Sequence, residues 1–273
     1  YLKFIYLFAI TILVACDRVE YYPDNPVEFT QTYFLAHKGG GNYDEGNTYD
    51  ACIIGLEKLN GIEIDLQMSA DKTLWLSHSP FVVACGSIEE NCFASTTDNT
   101  INLVDSCLGP GENYTKLEKV FGYINDNYSD KFISLDVKAW TPCDLSGINI
   151  IKELNKLAQK IIDLTKKYHL ENRVMVESET GDFLYYIKTN SDFIETYLST
   201  YGDFELGVSR ALDAGFSGIS YEYGTDDELT KEQVALIHRK GLKIQLWTFS
   251  DAEVINNVIL LNPDFIQTDY LDF

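Results

Sequence analysis

Positive charge is scarce in this sequence. Its 273 residues include 21 Lys and Arg against 42 Asp and Glu, for a formal net charge of −21. A surface this acidic repels the phosphate backbone of nucleic acids and the headgroups of anionic membranes. The imbalance argues against a nuclease, and it favours a small or zwitterionic substrate or a strong requirement for cations.

Two common binding signatures are also missing. The chain has six cysteines but no Cys-x-x-Cys spacing, so a zinc site is the weaker interpretation of these cysteines. The glycines of "HKGGG", residues 37–41, lack the spacing of a dinucleotide-binding loop. Neither a structural zinc centre nor a dinucleotide-binding fold is therefore favoured.

The N-terminal segment has the features of an export signal. Residues 1–15, "YLKFIYLFAITILVA", combine one lysine with an apolar stretch too short to span a bilayer comfortably. The next residue, Cys16, completes a quartet, "LVAC", that resembles the bacterial lipobox; an ordinary secretory signal with a coincidental cysteine is the alternative. We expect a signal peptide over 1–15 and a lipidated Cys16 with a polar tether over 16–31. The protein would then be an exported bacterial lipoprotein, periplasmic or at the cell surface, with acyl chains that anchor it to the membrane.

Export would allow the other cysteines to form disulfides. The short separation of Cys85 and Cys92 predicts one bridge, and Cys107–Cys143 is a second candidate. One thiol would be left over.

Short β-rich runs alternate with helical segments along the rest of the chain. Eight runs have the character of strands: 33–37, 61–67, 132–138, 173–178, 195–200, 216–222, 242–249 and 264–269. Eightfold strand–helix alternation favours a closed parallel barrel over an open doubly wound sheet. We therefore predict one α/β domain over 32–273, a single (β/α)8 TIM barrel.

Two segments interrupt this alternation. Residues 74–78, "LWLSH", follow the second strand too closely for a parallel crossover of about a dozen residues, which predicts a β-hairpin. Residues 79–113 are rich in Ser, Thr, Asn and Cys and have no sustained periodicity. They are expected to form an insertion loop stapled by a disulfide.

Two acidic residues at the end of the second strand suggest a metal site. Glu63 and Asp65 are two residues apart, so their side chains project to the same side of a strand, and two buried like charges need a cation between them. Oxygen ligands without thiolates suit one hard divalent cation, Ca²⁺ or Mg²⁺. A solvated strand face is the alternative, but the flanking Ile62 and Ile64 fit the packed side of a barrel strand.

Two histidines are expected at the same mouth, because the carboxyl-terminal ends of barrel strands converge there. His37 ends the first strand, and pairing residue 65 with residue 76 across the hairpin would bring His78 near Glu63. One imidazole could remove a proton from a nucleophile while the other protonates the leaving oxygen of a phosphodiester. Lys38 and Lys138 would hold the developing negative charge together with the cation.

These residues belong to a longer pattern. The segments "AHKGGG", "EGNT", "GIEIDLQMSADKTLWLSHSP", "ISLDVK", "IQLWTF" and "IQTDYLD" follow one another between about residues 34 and 271. Their order and spacing resemble the glycerophosphodiester phosphodiesterase family, whose usual wording is A-H-R-G, E-N-T, E-x-D-V with T-x-D-G, H-D, E-I-K, W-T and T-D-Y-P. The resemblance covers nearly the whole chain after the N-terminal segment.

The resemblance implies an enzyme that cleaves glycerophosphodiesters to glycerol 3-phosphate and an alcohol. In that family the glycerol 2-hydroxyl attacks to give a cyclic phosphate, which water then opens. The site residues that it implies are the acid–base pair His37 and His78, the metal ligands Glu63, Asp65 and Asp136, the phosphate-contacting Lys38 and Lys138, and Trp247 as a wall against the alcohol.

Several positions depart from the family wording. Lys38 replaces arginine and loses its bidentate fork, and Asp136 replaces glutamate and is one methylene shorter. Ser79 stands where aspartate usually follows the second histidine, and "EGNT" has one extra residue between Glu45 and Asn47. These departures favour an altered substrate over lost catalysis.

Three polar residues near the mouth are harder to interpret. Glu177 could supplement the shortened Asp136 as a ligand or could cap the next helix. Asn47 could orient the first loop over the phosphate or could be the N-cap of the first helix. Asp269 is expected to fasten the last strand rather than to contact substrate.

Two other functions stay open. A phospholipase C-like or sphingomyelinase D-like enzyme would cleave intact phospholipids, and a wide apolar mouth formed by 79–113 would favour it. A catalytically silent lipoprotein that binds a phosphoryl ligand is the third hypothesis, suggested by Asp136 and Ser79.

Overall fold

The computed structural model describes residues 31–43, 46–83, 90–104, 114–138, 147–224 and 229–273. In chain order, the strands in these ranges are β1 Tyr33–Ala36, β2 Gly61–Met68, β3 Leu74–Leu76, β4 Phe81–Val83, β5 Glu90–Cys92, β6 Phe132–Val137, β7 Val174–Ser178, β8 Glu195–Thr200, β9 Gly218–Glu222, β10 Lys243–Phe249 and β11 Phe265–Thr268. The helices are α1 Tyr49–Lys58, α2 Asp98–Leu103, α3 Leu117–Asn127, α4 Gly147–Lys167, α5 Gly181–Asn190, α6 Phe204–Ala214, α7 Lys231–Arg239 and α8 Ala252–Ile259.

Eight of the strands close into a parallel barrel. The ring runs β1-β2-β6-β7-β8-β9-β10-β11, and β11 pairs with β1 to close it. Helices α1 and α3 to α8 connect successive strands of the ring. The predicted TIM barrel is confirmed, and all eight predicted runs form its strands.

The alternation of side chains along β2 shows how the barrel positions its polar residues. Every residue of β2 is buried, as expected for a strand covered on both faces. Ile62, Ile64 and Leu66 belong to the main apolar core, whereas Glu63 and Asp65 face a cavity inside the barrel mouth. Outward apolar residues therefore hold the strand in place while its inward carboxylates meet at the mouth.

The amino-terminal end of the barrel interior is filled by apolar side chains. Leu35, Met175, Tyr197 and Phe265 form a separate buried cluster. The ring of Phe265 lies 6.3 Å from that of Tyr197 in an edge-to-face arrangement, a geometry favoured by aromatic quadrupoles. These side chains fill the amino-terminal end of the interior, and the polar cavity lies at the carboxyl-terminal mouth.

The predicted hairpin is confirmed, with a different register. Strand β3 pairs antiparallel with β2, and Leu66 lies opposite Leu76. Residue 65 therefore faces residue 77, and the Ser77 N–H donates to the Asp65 carbonyl at 3.0 Å. The predicted pairing of 65 with 76 is wrong by one residue.

The first helix begins one residue later than an Asn47 N-cap would require. Thr48 is the N-cap of α1, and its side chain accepts a hydrogen bond from the Ala51 N–H. Asn47 has a φ of +55°, whereas N-cap residues adopt extended backbone. The N-cap interpretation of Asn47 is therefore wrong.

The segment after the hairpin has secondary structure of its own. Strands β4 and β5 pair antiparallel, and Trp75, Val82, Phe93 and Ile101 form a small buried cluster beneath them. Asp98 at the start of α2 accepts hydrogen bonds from side chains on the β2–β3 hairpin, namely Ser69, Thr73 and Trp75. The described part of 79–113 is thus a packed insertion and not a plain loop.

Several predictions fall wholly or partly outside the described residues. Cys92 is disulfide-bonded, but Cys85, Cys107 and Cys143 lie outside the described ranges, so both pairings stay predictions. The same holds for the signal peptide, the lipidated Cys16 and the tether up to residue 30. In the described ranges, no helix combines the length and apolarity needed to cross a bilayer.

Candidate active site

A cavity of about 270 Å³ opens at the carboxyl-terminal mouth of the barrel. Nine residues singled out from the sequence line it: His37, Lys38, Glu63, Asp65, His78, Asp136, Lys138, Glu177 and Trp247. Four further lining residues were not predicted as site residues: Ser199, Tyr201, Glu222 and Gln267. The structure therefore brings together residues that lie more than 200 positions apart in the chain.

Three carboxylates form a compact acidic group on β2 and β6. Asp65 and Asp136 are register partners on these neighbouring strands, and each of Glu63, Asp65 and Asp136 offers one oxygen within 4.8 Å of the others. Glu63 and Asp65 are each only 2% exposed. Burial and repulsion from Asp65 raise the pKa of Glu63, while burial and repulsion from Glu177 raise that of Asp136 to about 8. Binding a positive ion would stabilise the charged form of these three carboxylates.

One lysine neutralises part of this charge. The Lys138 Nζ lies 3.2 Å from Asp65 Oδ1 and also donates to Asp136. Desolvation opposes the ammonium charge, but attraction to Asp136 and Asp65 outweighs it and raises the pKa of Lys138. A single ammonium cannot balance three carboxylates, and an all-oxygen donor set suits a hard divalent cation. The residues present therefore fit Mg²⁺ or Ca²⁺.

Hydrogen bonds from the first loop hold two of these carboxylates in position. Asn47 Nδ2 donates to Asp65 Oδ2 at 2.8 Å, and its Oδ1 accepts from the Asp65 N–H at 2.9 Å. The Lys38 N–H donates to Glu63 Oε2 at 2.9 Å, from a turn in which Lys38 and Gly39 have φ of +52° and +84°. Asn47 is 4% exposed and lies behind Asp65, where it orients a carboxylate instead of lining the cavity.

His37 is held by a carboxylate from the last strand. Its Nδ1 lies 2.7 Å from Asp269 Oδ1, and its Nε2 lies 4.0 Å from Glu63 Oε2. When Nδ1–H donates to Asp269, the Nε2 lone pair faces the cavity and can accept a proton. The geometry suits a general base with an orienting carboxylate.

Asp269 thus has a part that the sequence did not reveal. The expectation that it fastens the last strand is confirmed, because its N–H donates to the Phe249 carbonyl at 2.7 Å. Its side chain also reaches the imidazole of His37, the residue just after β1, since β11 and β1 are neighbours in the closed ring. The sequence signals are its place just after the strand that closes the barrel and its match to the aspartate of the T-D-Y-P pattern.

His78 reaches the cavity from the end of the hairpin. Desolvation lowers its pKa, while attraction to Asp65 works in the opposite direction. The one-residue difference in hairpin register does not remove His78 from the mouth. Two imidazoles therefore face one cavity, an arrangement that can supply one general base and one general acid.

Glu177 is the register partner of Asp136 on the neighbouring strand, but its side chain is more deeply buried, at 3% exposed. Its donors come from four strands: Ser134 Oγ at 2.8 Å, Gln245 Nε2 at 2.8 Å, Gln267 Nε2 at 2.6 Å, and Ser220. Burial raises the pKa of Glu177, whereas hydrogen bonds from Ser220, Ser134 and Gln245 and the charge of Lys138 oppose the shift by stabilising the carboxylate. Glu177 is thus a fourth carboxylate that lines the same cavity as Glu63, Asp65 and Asp136. As a supplementary ligand it stays a prediction; its interpretation as a helix cap is wrong, because Thr180 occupies the N-cap of α5.

Comparisons with known proteins agree with the geometry. Residues 37–273 match the family model described as "Glycerophosphoryl diester phosphodiesterase family". A curated protein from Bacillus subtilis (strain 168), named "Putative glycerophosphodiester phosphodiesterase YhdW", is 23% identical over 268 residues, which cover 88% of this chain and 96% of that protein.

Solved structures share the fold. A protein from Silicibacter pomeroyi DSS-3, titled "Putative glycerophosphoryl diester phosphodiesterase", superposes with a TM-score of 0.76 at 17% identity, over 88% of this chain and 90% of that chain. A phosphodiesterase from Oleispira antarctica, solved in complex with the product sn-glycerol-3-phosphate, has a TM-score of 0.72 at 16% identity, over 88% of this chain and 93% of that chain.

Proposed function

The chain belongs to the glycerophosphoryl diester phosphodiesterase family, and from this membership we propose that it hydrolyses glycerophosphodiesters to glycerol 3-phosphate and an alcohol with the help of one divalent cation, Mg²⁺ or Ca²⁺. It is accordingly a phosphoric diester hydrolase. The observation that carries the proposal is the single cavity that holds His37, His78 and the three-carboxylate group.

The binding roles follow from charge and position. Glu63, Asp65 and Asp136 would hold the cation, which supplies Lewis acidity to the phosphoryl group when bound. The ammonium groups of Lys38 and Lys138 attract the phosphate and stabilise the negative charge that develops on its oxygens. With these contacts the diester is oriented between the two histidines.

The proton transfers follow from the histidines. His37 Nε2 accepts the proton of the glycerol 2-hydroxyl as that oxygen attacks phosphorus, and Asp269 stabilises the resulting imidazolium. His78 donates a proton to the departing alcohol oxygen. In the second step His78 takes a proton from water, water opens the cyclic phosphate, and His37 returns its proton to the 2-oxygen. Each histidine therefore finishes in its starting state.

The composition of the cavity supports a small diester over an intact lipid. Apart from Tyr201 and Trp247, every described lining side chain is polar or charged, which is unfavourable for acyl chains. The glycerol 3-phosphate bound in the Oleispira antarctica neighbour supports the same substrate class. Membership of an enzyme family argues against a silent binding protein.

Release of glycerol 3-phosphate from glycerophosphocholine tests this proposal. We expect turnover with Mg²⁺ or Ca²⁺, its loss on chelation, and its recovery when the ion is returned. His37→Ala should abolish turnover without lowering the thermal unfolding midpoint. Cation-independent turnover, or no turnover of any glycerophosphodiester with either ion, would contradict the proposal.

We also propose that the protein is exported and anchored through a lipidated Cys16. The "LVAC" quartet after an apolar segment supports this. Cys16→Ala should move the protein from the membrane fraction to the soluble extracellular or periplasmic fraction. An unchanged distribution between fractions would contradict the anchor.

A further inference from the structure

The catalytic cavity has two chemically different sides. The carboxylates on β2 and β6 form one side. The other carries Tyr201 just after β8, Glu222 at the end of β9 and Trp247 on β10. In the ring of eight strands, β9 lies four places from β2 and β10 lies four places from β6. The second side therefore faces the cation ligands across the mouth, and we call Tyr201, Glu222 and Trp247 the opposite wall.

Two aromatic rings form part of the opposite wall. Tyr201 and Trp247 meet edge to face, with ring centroids 5.4 Å apart and planes at 85°. Tyr201 is 48% exposed, so a ligand in the mouth can reach its ring. Aromatic faces attract ammonium groups through the ring quadrupole, and this attraction is strongest where solvent is reduced.

Carboxylates accompany these rings. Glu222 and Trp247 are register partners on neighbouring strands. Burial and the charge of Glu179 raise the pKa of Tyr201. Glu179 and Tyr201 also line the same cleft beside the catalytic cavity, so a second carboxylate lies near the phenol. The wall thus combines aromatic surface with negative charge, which is the chemistry that binds organic cations.

A second cleft extends this wall along the rim of the barrel. It has a volume of about 200 Å³, shares Ser199 and Tyr201 with the catalytic cavity, and contains Glu179, Asp203 and Arg210. Its two carboxylates outnumber its one guanidinium. An anionic head group would meet repulsion from the wall and from the net charge of −21, whereas a neutral polyol can donate hydrogen bonds to the carboxylates but gains no charge–charge attraction from them.

We propose that the opposite wall is the subsite for the leaving alcohol and that it selects glycerophosphodiesters whose head group is a positively charged amino alcohol. The inference rests on the proposed function. The glycerol moiety has neither charge nor apolar surface to match this wall, so the wall suits the other ester group. The opposite wall faces the cation ligands and the lysines across the mouth. It can therefore bind the ammonium group of the substrate while the cation and the lysines hold the phosphate.

Comparison of two diesters tests the selectivity. We expect kcat/KM for glycerophosphocholine to exceed that for glycerophosphoglycerol, whose head group is neutral, by about tenfold. Glu222→Gln and Tyr201→Ala should each reduce this ratio severalfold. The matched control is Glu57→Gln, an exposed carboxylate in the last turn of α1 at the far end of the barrel, which should leave the ratio unchanged. A wild-type ratio near one, or a ratio that neither wall variant changes, would overturn the inference.

A binding measurement separates this inference from the proposed function. Absence of turnover for both diesters would contradict the proposed function. Binding at the opposite wall can still be measured, by ligand-observed NMR titration with choline and with its neutral isostere 3,3-dimethylbutan-1-ol. Preferential binding of choline that is lost in Glu222→Gln would support the subsite. Equal binding of the two compounds would overturn it whether or not the protein turns over.

Discussion

Removing the charge of Asp269 tests the His37 assignment quantitatively. Asp269→Asn keeps the size of the side chain but replaces the carboxylate that lies 2.7 Å from His37 Nδ1. A hydrogen bond to a charged group contributes about 1.5–3 kcal/mol. The Asp269 carboxylate is 33% exposed, so solvent screening places the effect near the lower value, or about a tenfold loss in kcat/KM.

A change of tautomer would add to this loss. The amide group that Asp269→Asn introduces can donate to His37 Nδ1, which moves the imidazole proton to Nε2 and removes the lone pair that accepts the substrate proton. We therefore expect kcat/KM to fall by about tenfold at least.

The assay is glycerophosphocholine hydrolysis at saturating Mg²⁺, with thermal unfolding measured in parallel. Asp272→Asn is the matched control, because this nearby carboxylate pairs with Lys58 at 2.8 Å on the protein surface and should not affect turnover. Full kcat/KM in Asp269→Asn would show that Asp269 does not orient the catalytic base.

Three further predictions concern the cation site and the insertion. Asn47→Ala removes both hydrogen bonds that orient Asp65, and calorimetry should show divalent-cation affinity reduced by about tenfold or more; unchanged affinity would refute the orienting role. Burial and Glu177 raise the pKa of Asp136 to about 8, so this carboxyl group takes up a proton at a higher pH than an ordinary aspartate does, and cation binding should release more protons near pH 7 than near pH 9. Titrations in buffers of different ionisation enthalpy measure this release, and a pH-independent value would argue against it. Asp98→Ala leaves Ser69, Thr73 and Trp75 without their acceptor and should lower the free energy of unfolding by about 1–3 kcal/mol in urea titrations, whereas the exposed Asp126→Ala should have no effect.

The barrel could be predicted because its strands carry strong local signals. The alternation of Glu63 and Asp65 with Ile62 and Ile64 specifies both the strand and the direction of its carboxylates. Strand ends converge in any parallel barrel, so the placement of His37 followed from topology without knowledge of side-chain contacts.

Details that depend on side-chain packing could not be predicted from the sequence. The hairpin register differs by one residue because the turn between β2 and β3, with Lys72 at a φ of +67°, is not fixed by residue type alone. Asparagine suits both an N-cap and a positive φ, so residue type alone does not distinguish the two interpretations of Asn47. The contact of Asp269 with His37 spans 232 positions and exists only once the barrel closes.

The opposite wall illustrates a second limit. Tyr201 and Glu222 are ordinary residues at strand ends, and neither stands in a motif. Their proximity to Trp247 arises from the neighbouring positions of β8, β9 and β10 in the ring. Residues of this kind become visible as a set only in three dimensions.

The central claim is that acidic and imidazole side chains distant in sequence act on one phosphodiester around one divalent cation. A crystal structure of the protein with Mn²⁺ and glycerol 3-phosphate tests it most directly. We expect an anomalous peak enclosed by Glu63, Asp65 and Asp136, with the phosphate group beside it and within reach of both histidines. An anomalous peak elsewhere, or phosphate bound away from His37 and His78, would contradict the claim.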